Sequence, residues 1–255
     1  MKNKNCSLVF LIAIIIAMIS CKKEKEIISE TSSLTIVNCL SDATFIFPQL
    51  YNSSNIDFSK EINGMPPALL SDVEMMRGYG LRSGIVPLKV FGYPDKEKPL
   101  SNNLLNLEAG GIYSFFLSGT KLDPDTLFVK DELPVTDPSD SLIVIRFINT
   151  LKNFNAIRVK AVGGQATTKM DHLAYNQISP YQVLSVSKLK HKDDAHFNFE
   201  IYDAVTGDLL SIYDYIWSST TQSDNTNYLS KAVTIIITGS PTALKFVAIT
   251  PNLYH

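Results

Sequence analysis

The chain is poor in the residues that would staple or catalyse. Its 255 residues include only three cysteines, four histidines and one tryptophan. Cys6 and Cys21 flank the one long apolar run near the N-terminus, so Cys39 stands alone beyond it. A mature chain starting at Cys21 therefore has no internal disulfide, and in an oxidising compartment the fold must rest on its core. Charge of either sign is also scarce. Lys and Arg total 23 against 25 Asp and Glu, a formal net charge of −2, which gives no electrostatic footing for nucleic acid. There is no long amphipathic helical pattern and no Gly-x-Ser-x-Gly elbow. Gly110-Gly111 and Gly163-Gly164 are not followed by helices, so neither cradles phosphate.

What is present begins at the N-terminus. Lys2 and Lys4 precede an unbroken apolar stretch, Leu8–Ile19. A membrane-spanning helix needs about 20 apolar residues and a secretory h-region about 7–15; this run fits the second. It ends at Met18-Ile19-Ser20-Cys21, with a small residue before the cysteine. The pattern resembles the lipobox of bacterial lipoproteins in a loose form, Met18 standing where Leu is usual. The resemblance implies cleavage after Ser20, acylation of Cys21 and a bilayer as partner. Each buried CH₂ contributes about 0.8 kcal/mol, so two or three acyl chains anchor firmly where one binds marginally. Lys22-Lys23-Glu24-Lys25-Glu26 is similar to the charged export signals beside the lipid cysteine in surface lipoproteins of Bacteroidota, and also suits a plain solvated tether. The expected location is the outer membrane, on its periplasmic face or at the cell surface.

Beyond the tether the sequence repeats itself. Leu34–Leu40 corresponds to Leu142–Asn149, Val86–Gly92 to Phe197–Asp203, Ile112–Thr120 to Ala232–Ser240, and Thr126–Val129 to Leu244–Ile249. Order and spacing are kept, as in a tandem duplication. Ile157, Val159 and Ala161 alternate with Arg158, Lys160 and Val162, and Phe197, Phe199 and Ile201 with Asn198 and Glu200, so each set lies on one face of a strand. Ile143–Ile148 and Val233–Ile237 do not alternate and read as strands buried on both faces or near the junction of the two units. Gly64–Met76 reads as a short helical or loop insertion, opened by Pro66-Pro67. The expected organisation is a signal peptide over 1–20, a lipidated tether over 21–33, a β-sandwich over 34–134, a Pro-containing linker over 135–140 and a second β-sandwich over 141–255.

In the second unit, Leu173–Tyr181, Phe197–Leu210 and Val233–Ser240, with Arg146-Phe147-Ile148-Asn149 as the opening, resemble a family of immunoglobulin-like β-sandwich domains of unknown function. These recur, often duplicated, in secreted and lipid-anchored bacterial proteins. The resemblance implies an all-β chain of two tandem immunoglobulin-like sandwiches with no catalytic residues to assign.

Few residue patterns in the chain carry chemistry. His191-Lys192-Asp193-Asp194-Ala195-His196 matches no helical zinc motif, and neither His172 nor His255 joins a metal pattern. Asp123-Pro124-Asp125 lacks a calcium loop around it and reads as turn chemistry. Cys39 reads as a buried inert thiol. No metal, cofactor or catalytic residue is assigned. The candidate ligand contacts are Tyr213, Tyr215 and Trp217, in the segment Leu210–Leu229 read as an insertion, since aromatic faces beside short polar residues suit protein or glycan recognition; packing of Trp217 in the core is the competing reading. The expected function is therefore a noncatalytic, lipid-anchored envelope protein that presents two modules for adhesion, glycan contact or envelope assembly. The alternatives are an envelope hydrolase acting on glycans or peptides through loop carboxylates, and an accessory subunit of an outer-membrane complex.

Overall fold

A computed structural model describes residues 30–42, 44–51, 64–68, 70, 74–135, 142–162, 169–185, 196–216, 232–240 and 242–250. Among them every regular element is a strand, and none is a helix. The first half contains β1 (Thr31–Asn38), β2 (Ile46–Leu50), β3 (Met76–Arg82), β4 (Gly84–Gly92), β5 (Ser101–Leu107), β6 (Ile112–Thr120) and β7 (Asp123–Lys130). The second contains β8 (Leu142–Asn149), β9 (Ile157–Val162), β10 (Lys169–Leu173), β11 (Gln177–Ile178), β12 (Gln182–Ser185), β13 (His196–Asp203), β14 (Leu209–Ile216), β15 (Ala232–Ser240) and β16 (Ala243–Ile249).

The two halves share one wiring. In the first, a sheet of order β3-β1-β6-β7 faces a sheet of order β2-β4-β5. In the second, β11-β8-β15-β16, with β12 also on β8, faces β10-β9-β13-β14. Strand β1 runs parallel to β6, and β8 runs parallel to β15, at the centre of the corresponding sheets. This is a departure from the immunoglobulin scheme, whose two sheets are antiparallel. The equivalence reaches single residues. Asn38 and Asn149 end the first strand of each half, both fully buried. Each accepts the N–H two residues on, from Leu40 or Leu151, and donates its amide to carbonyls of the following segment, Thr44 and Met65 or Leu173. Gly119 and Gly239 sit at φ 81° and 99°, each one residue before the last pair of its hairpin, Thr120 with Asp123 and Ser240 with Ala243.

Period two explains the packing. In the first half Leu34, Ile36, Val86, Leu88, Val90, Leu105, Leu107, Tyr113, Phe115 and Leu117 fill the space between the facing sheets. In the second, Ile143, Ile145, Phe147, Ile157, Val159, Phe199, Ile201, Val233, Ile235 and Ile237 do the same. Away from the strand ends, the other side chains of β1, β6, β8 and β15 are buried too. Val37, Phe116, Ile148 and Ile236, joined by Cys39, Met75, Val247 and Ile249, form a third cluster shared by both halves. The four sheets therefore stack, with the two non-alternating sheets back to back in the middle and β2-β4-β5 and β10-β9-β13-β14 outermost. The segment expected as a short helical or loop insertion is a loop with turns where it is described, and its last residue, Met76, already belongs to β3. Met65 bridges to Ile46, and the Ala68 and Leu70 N–H groups donate to Asn38 and Pro67.

Candidate functional site

Where the halves meet, polar groups complete the apolar seam. Arg146 on β8 and Asp131 just past β7 form a buried ion pair at 2.5 Å. Ser114 donates to the second oxygen of Asp131 at 2.6 Å, and Arg146 Nε donates to Thr234 Oγ1 at 2.8 Å. The guanidinium also lies over the Tyr181 ring, 4.3 Å from its centroid. Burial pushes the Tyr181 hydroxyl pKa up to about 12. A second network rims the seam. Lys152 reaches Asp123 and Asp125 at 2.6 and 2.7 Å. Tyr175 donates to Asp125 at 2.8 Å, and Ser118 contacts Tyr175 and Asn176. Burial works against the Lys152 charge, but the two carboxylates outweigh it and raise its pKa. Lys152 in turn holds Asp125 below the usual carboxylate range. Arg146 meets Asp131, and Lys152 meets Asp123 and Asp125, each across the junction, so both networks join the halves. Asp123 and Asp125, read from sequence as turn formers, are drawn into this role by residues from the other half.

The two outermost faces differ in chemistry. On the second half, Lys160 pairs with Glu200 at 3.2 Å and Arg158 with Asp171 at 3.7 Å. Tyr202 donates to Glu200 at 2.6 Å, and with Lys160 it keeps that carboxyl pKa low. Ile212 is exposed opposite Glu200 in this charged setting. On the first half, β2, β4 and β5 carry a single charge, Lys89. The register sets Lys89 opposite Asn102, Pro87 opposite Leu104 and Ile85 opposite Asn106 on the wet face. Ile85 is 70% exposed and Leu104 73%. Exposed Tyr51 follows β2, its N–H donating to the Pro87 carbonyl. Two large aliphatic side chains, a proline and amides thus share one nearly uncharged surface. The sequence signal is an apolar residue out of phase: Ile85 precedes Val86, and Leu104 precedes Leu105, in strands that otherwise alternate.

The aromatic candidates fall elsewhere. Tyr213 and Tyr215 lie within β14, a strand paired along its length with β13, where an insertion was expected. Tyr215 is only 6% exposed, and Tyr213 stacks on Phe246 at 4.7 Å between centroids. Both serve the core of the second half. Their alternation with exposed Ile212 and Asp214 is the period-two pattern of a half-buried strand, which a reading based on aromatic clustering passed over. Trp217, Cys21, His191 and His255 lie outside the described residues. Cys39 is fully buried, and burial pushes its thiol pKa up. Among the described residues no three His, Cys, Asp or Glu side chains gather to hold a metal ion.

No family model matches the chain, and no curated protein matches it. Among solved structures it is similar to a family 26 carbohydrate-binding module from Eubacterium rectale bound to maltoheptaose, at 12% identity over 88% of this chain and 98% of that one, with a TM-score of 0.26. It is also similar to an alpha-glucan-binding streptococcal virulence factor, at 8% identity over 85% and 96%, with a TM-score of 0.28. Family 41 carbohydrate-binding modules from streptococcal virulence factors give 10% identity and a TM-score of 0.27 over the same shares. Such scores transfer neither a ligand nor a site.

Proposed function

We propose that this chain is a noncatalytic binding or structural protein of the bacterial cell envelope. Acyl chains on Cys21 hold it to the outer membrane, and two immunoglobulin-like sandwich units, modified by a parallel central pair, are clamped into one body. The working surface is the outer face of β2-β4-β5. One observation supports this reading above the rest: Ile85 and Leu104 are exposed diagonal neighbours on adjacent strands of a sheet that carries one charge. A face that only had to be wet would be served better by the ion pairs of the opposite sheet.

The test uses two soluble variants. In a Cys21→Ser background, Ile85→Asp with Leu104→Asp should lower binding to isolated envelopes at least tenfold, while Ile212→Asp leaves it unchanged. Because both target side chains are solvent-facing, the melting temperature should barely move. Equal envelope binding by the two variants refutes the surface assignment. Fractionation tests the anchor separately: with Ile85→Asp and Leu104→Asp in place, the protein that keeps Cys21 should sediment with outer membranes and its Cys21→Ser counterpart should not.

A further inference from the structure

The exposed face lies beside the point where the tether leaves the fold. The Ser83 N–H donates to the Glu30 carbonyl at 2.6 Å, and β4 starts at the next residue, Gly84, with Ile85 after it. Thr31 pairs with Arg82 on the same edge. Cys21 is nine residues before Glu30, a reach of about 30 Å when extended. Facing sheets are roughly 10 Å apart, so this tether easily brings an acylated cysteine to the plane of the outermost sheet.

We infer that the outer face of β2-β4-β5, around Ile85 and Leu104, rests on the bilayer that holds the tether. This inference rests on the anchored reading of Cys21 and names the partner of the face proposed above. The chemistry suits an interface. Ile85, Pro87 and Leu104 offer aliphatic surface to the acyl boundary. Exposed Tyr51 presents a ring with a polar tip, a combination at home among headgroups. Lys89 supplies one cation for lipid phosphate, and none of the three strands carries a carboxylate for anionic headgroups to repel. The amides of Asn102 and Asn106 can bond headgroup oxygens. Phe45 and Tyr93, at the ends of β2 and β4, add two further exposed rings, and aromatic rings beside protruding aliphatics suit the boundary between headgroups and acyl chains. With this sheet down, the four-sheet stack stands upright, and the ion-paired sheet of the second half faces away from the membrane.

The acylated protein, reconstituted in phosphatidylethanolamine/phosphatidylglycerol vesicles that carry a nitroxide lipid, tests this directly. An environment-sensitive fluorophore is attached through Leu104→Cys or, in a separate protein, Ile212→Cys; Cys39 is buried and does not compete. The Leu104 label should be blue-shifted and its emission at least halved by the nitroxide. The Ile212 label, on the opposite outermost sheet and roughly 30 Å away by three sheet spacings, should keep its emission. Equal quenching at both positions, or none at Leu104, overturns the inference. A Leu104 label shielded from water yet untouched by the nitroxide assigns the face to a second copy or another macromolecule, and overturns it too. Mass spectrometry of the same sample separates the premises. An unacylated Cys21 defeats the anchored reading and the inference with it, whereas an acylated protein with an unquenched Leu104 label defeats the inference alone.

Discussion

At the scale of single residues, two positions show how the backbone constrains this sequence. Gly119 and Gly239 occupy a conformation that L side chains rarely adopt, and an added Cβ would come within 2.5 Å of the Asp123 or Ala243 carbonyl oxygen. Gly119→Ala or Gly239→Ala should each cost about 1–3 kcal/mol from backbone strain, with the carbonyl clash added, when stability is measured by urea denaturation. Gly80→Ala, which meets nothing in β3, should stay within about 0.5 kcal/mol of wild type. Asp203 supplies a pH signature. Asn155 donates to its carboxylate at 3.0 Å, and the Thr206 and Val205 N–H groups do so as well, which lowers its pKa. A carboxyl depressed on folding contributes stability above its unfolded pKa, about 3.9, and loses that contribution as pH falls through the folded value. Asp203→Asn should therefore lower stability at neutral pH and flatten the acid limb of a stability–pH curve. An unchanged acid limb would show that Asp203 is not coupled to folding.

At the scale of elements, the informative contrast is between strands that alternate and strands that do not. β9 alternates Ile157, Val159 and Ala161 with wetter residues and has one buried face. β1, β6, β8 and β15 do not alternate because they are interior to the four-sheet stack. This much was legible from Ile143–Ile148 and Val233–Ile237. The polar residues inside such strands needed the partner half to make sense. Arg146 is a charge within the apolar run Ile143–Ile148, and its guanidinium is buried against Asp131 from the other half. Arg146→Ala should destabilise by about 3–5 kcal/mol, because it leaves Asp131 buried without its counter-charge. Replacing both with apolar residues of similar volume, Arg146→Met with Asp131→Leu, should recover part of that loss in chemical denaturation. The double variant leaves Ser114 short of an acceptor, so recovery should be incomplete.

At the scale of the whole molecule, the shared middle cluster decides whether the repeat behaves as two bodies or one. Phe116 and Ile236 are both fully buried there, one from each half. Truncating a core aromatic costs about 3–5 kcal/mol, and here the loss falls on the contact between halves. Calorimetry of the wild type should give a single unfolding transition. Phe116→Ala with Ile236→Ala should separate it into two, as each half retains its own core. Two transitions already present in the wild type would mean that the seam does not couple the halves.

By itself the sequence determined the strand content, the paired correspondence of β1 with β8, β4 with β13, β6 with β15 and β7 with β16, and the burial of Cys39. These follow from local periodicity and from turn residues, which act over a few positions along the chain. The apolar run ending at Cys21 and the expected anchor are likewise sequence features. Only the tertiary structure decided that the central strands pair in parallel, that Asp123 and Asp125 serve Lys152 and Tyr175, that Tyr213 and Tyr215 face inward, and that no other part of the fold covers Ile85 and Leu104. Each of these depends on which face of a strand another sheet covers. That choice is made by contacts far apart in the chain, and a period-two pattern gives two faces without saying which of them a second layer will bury.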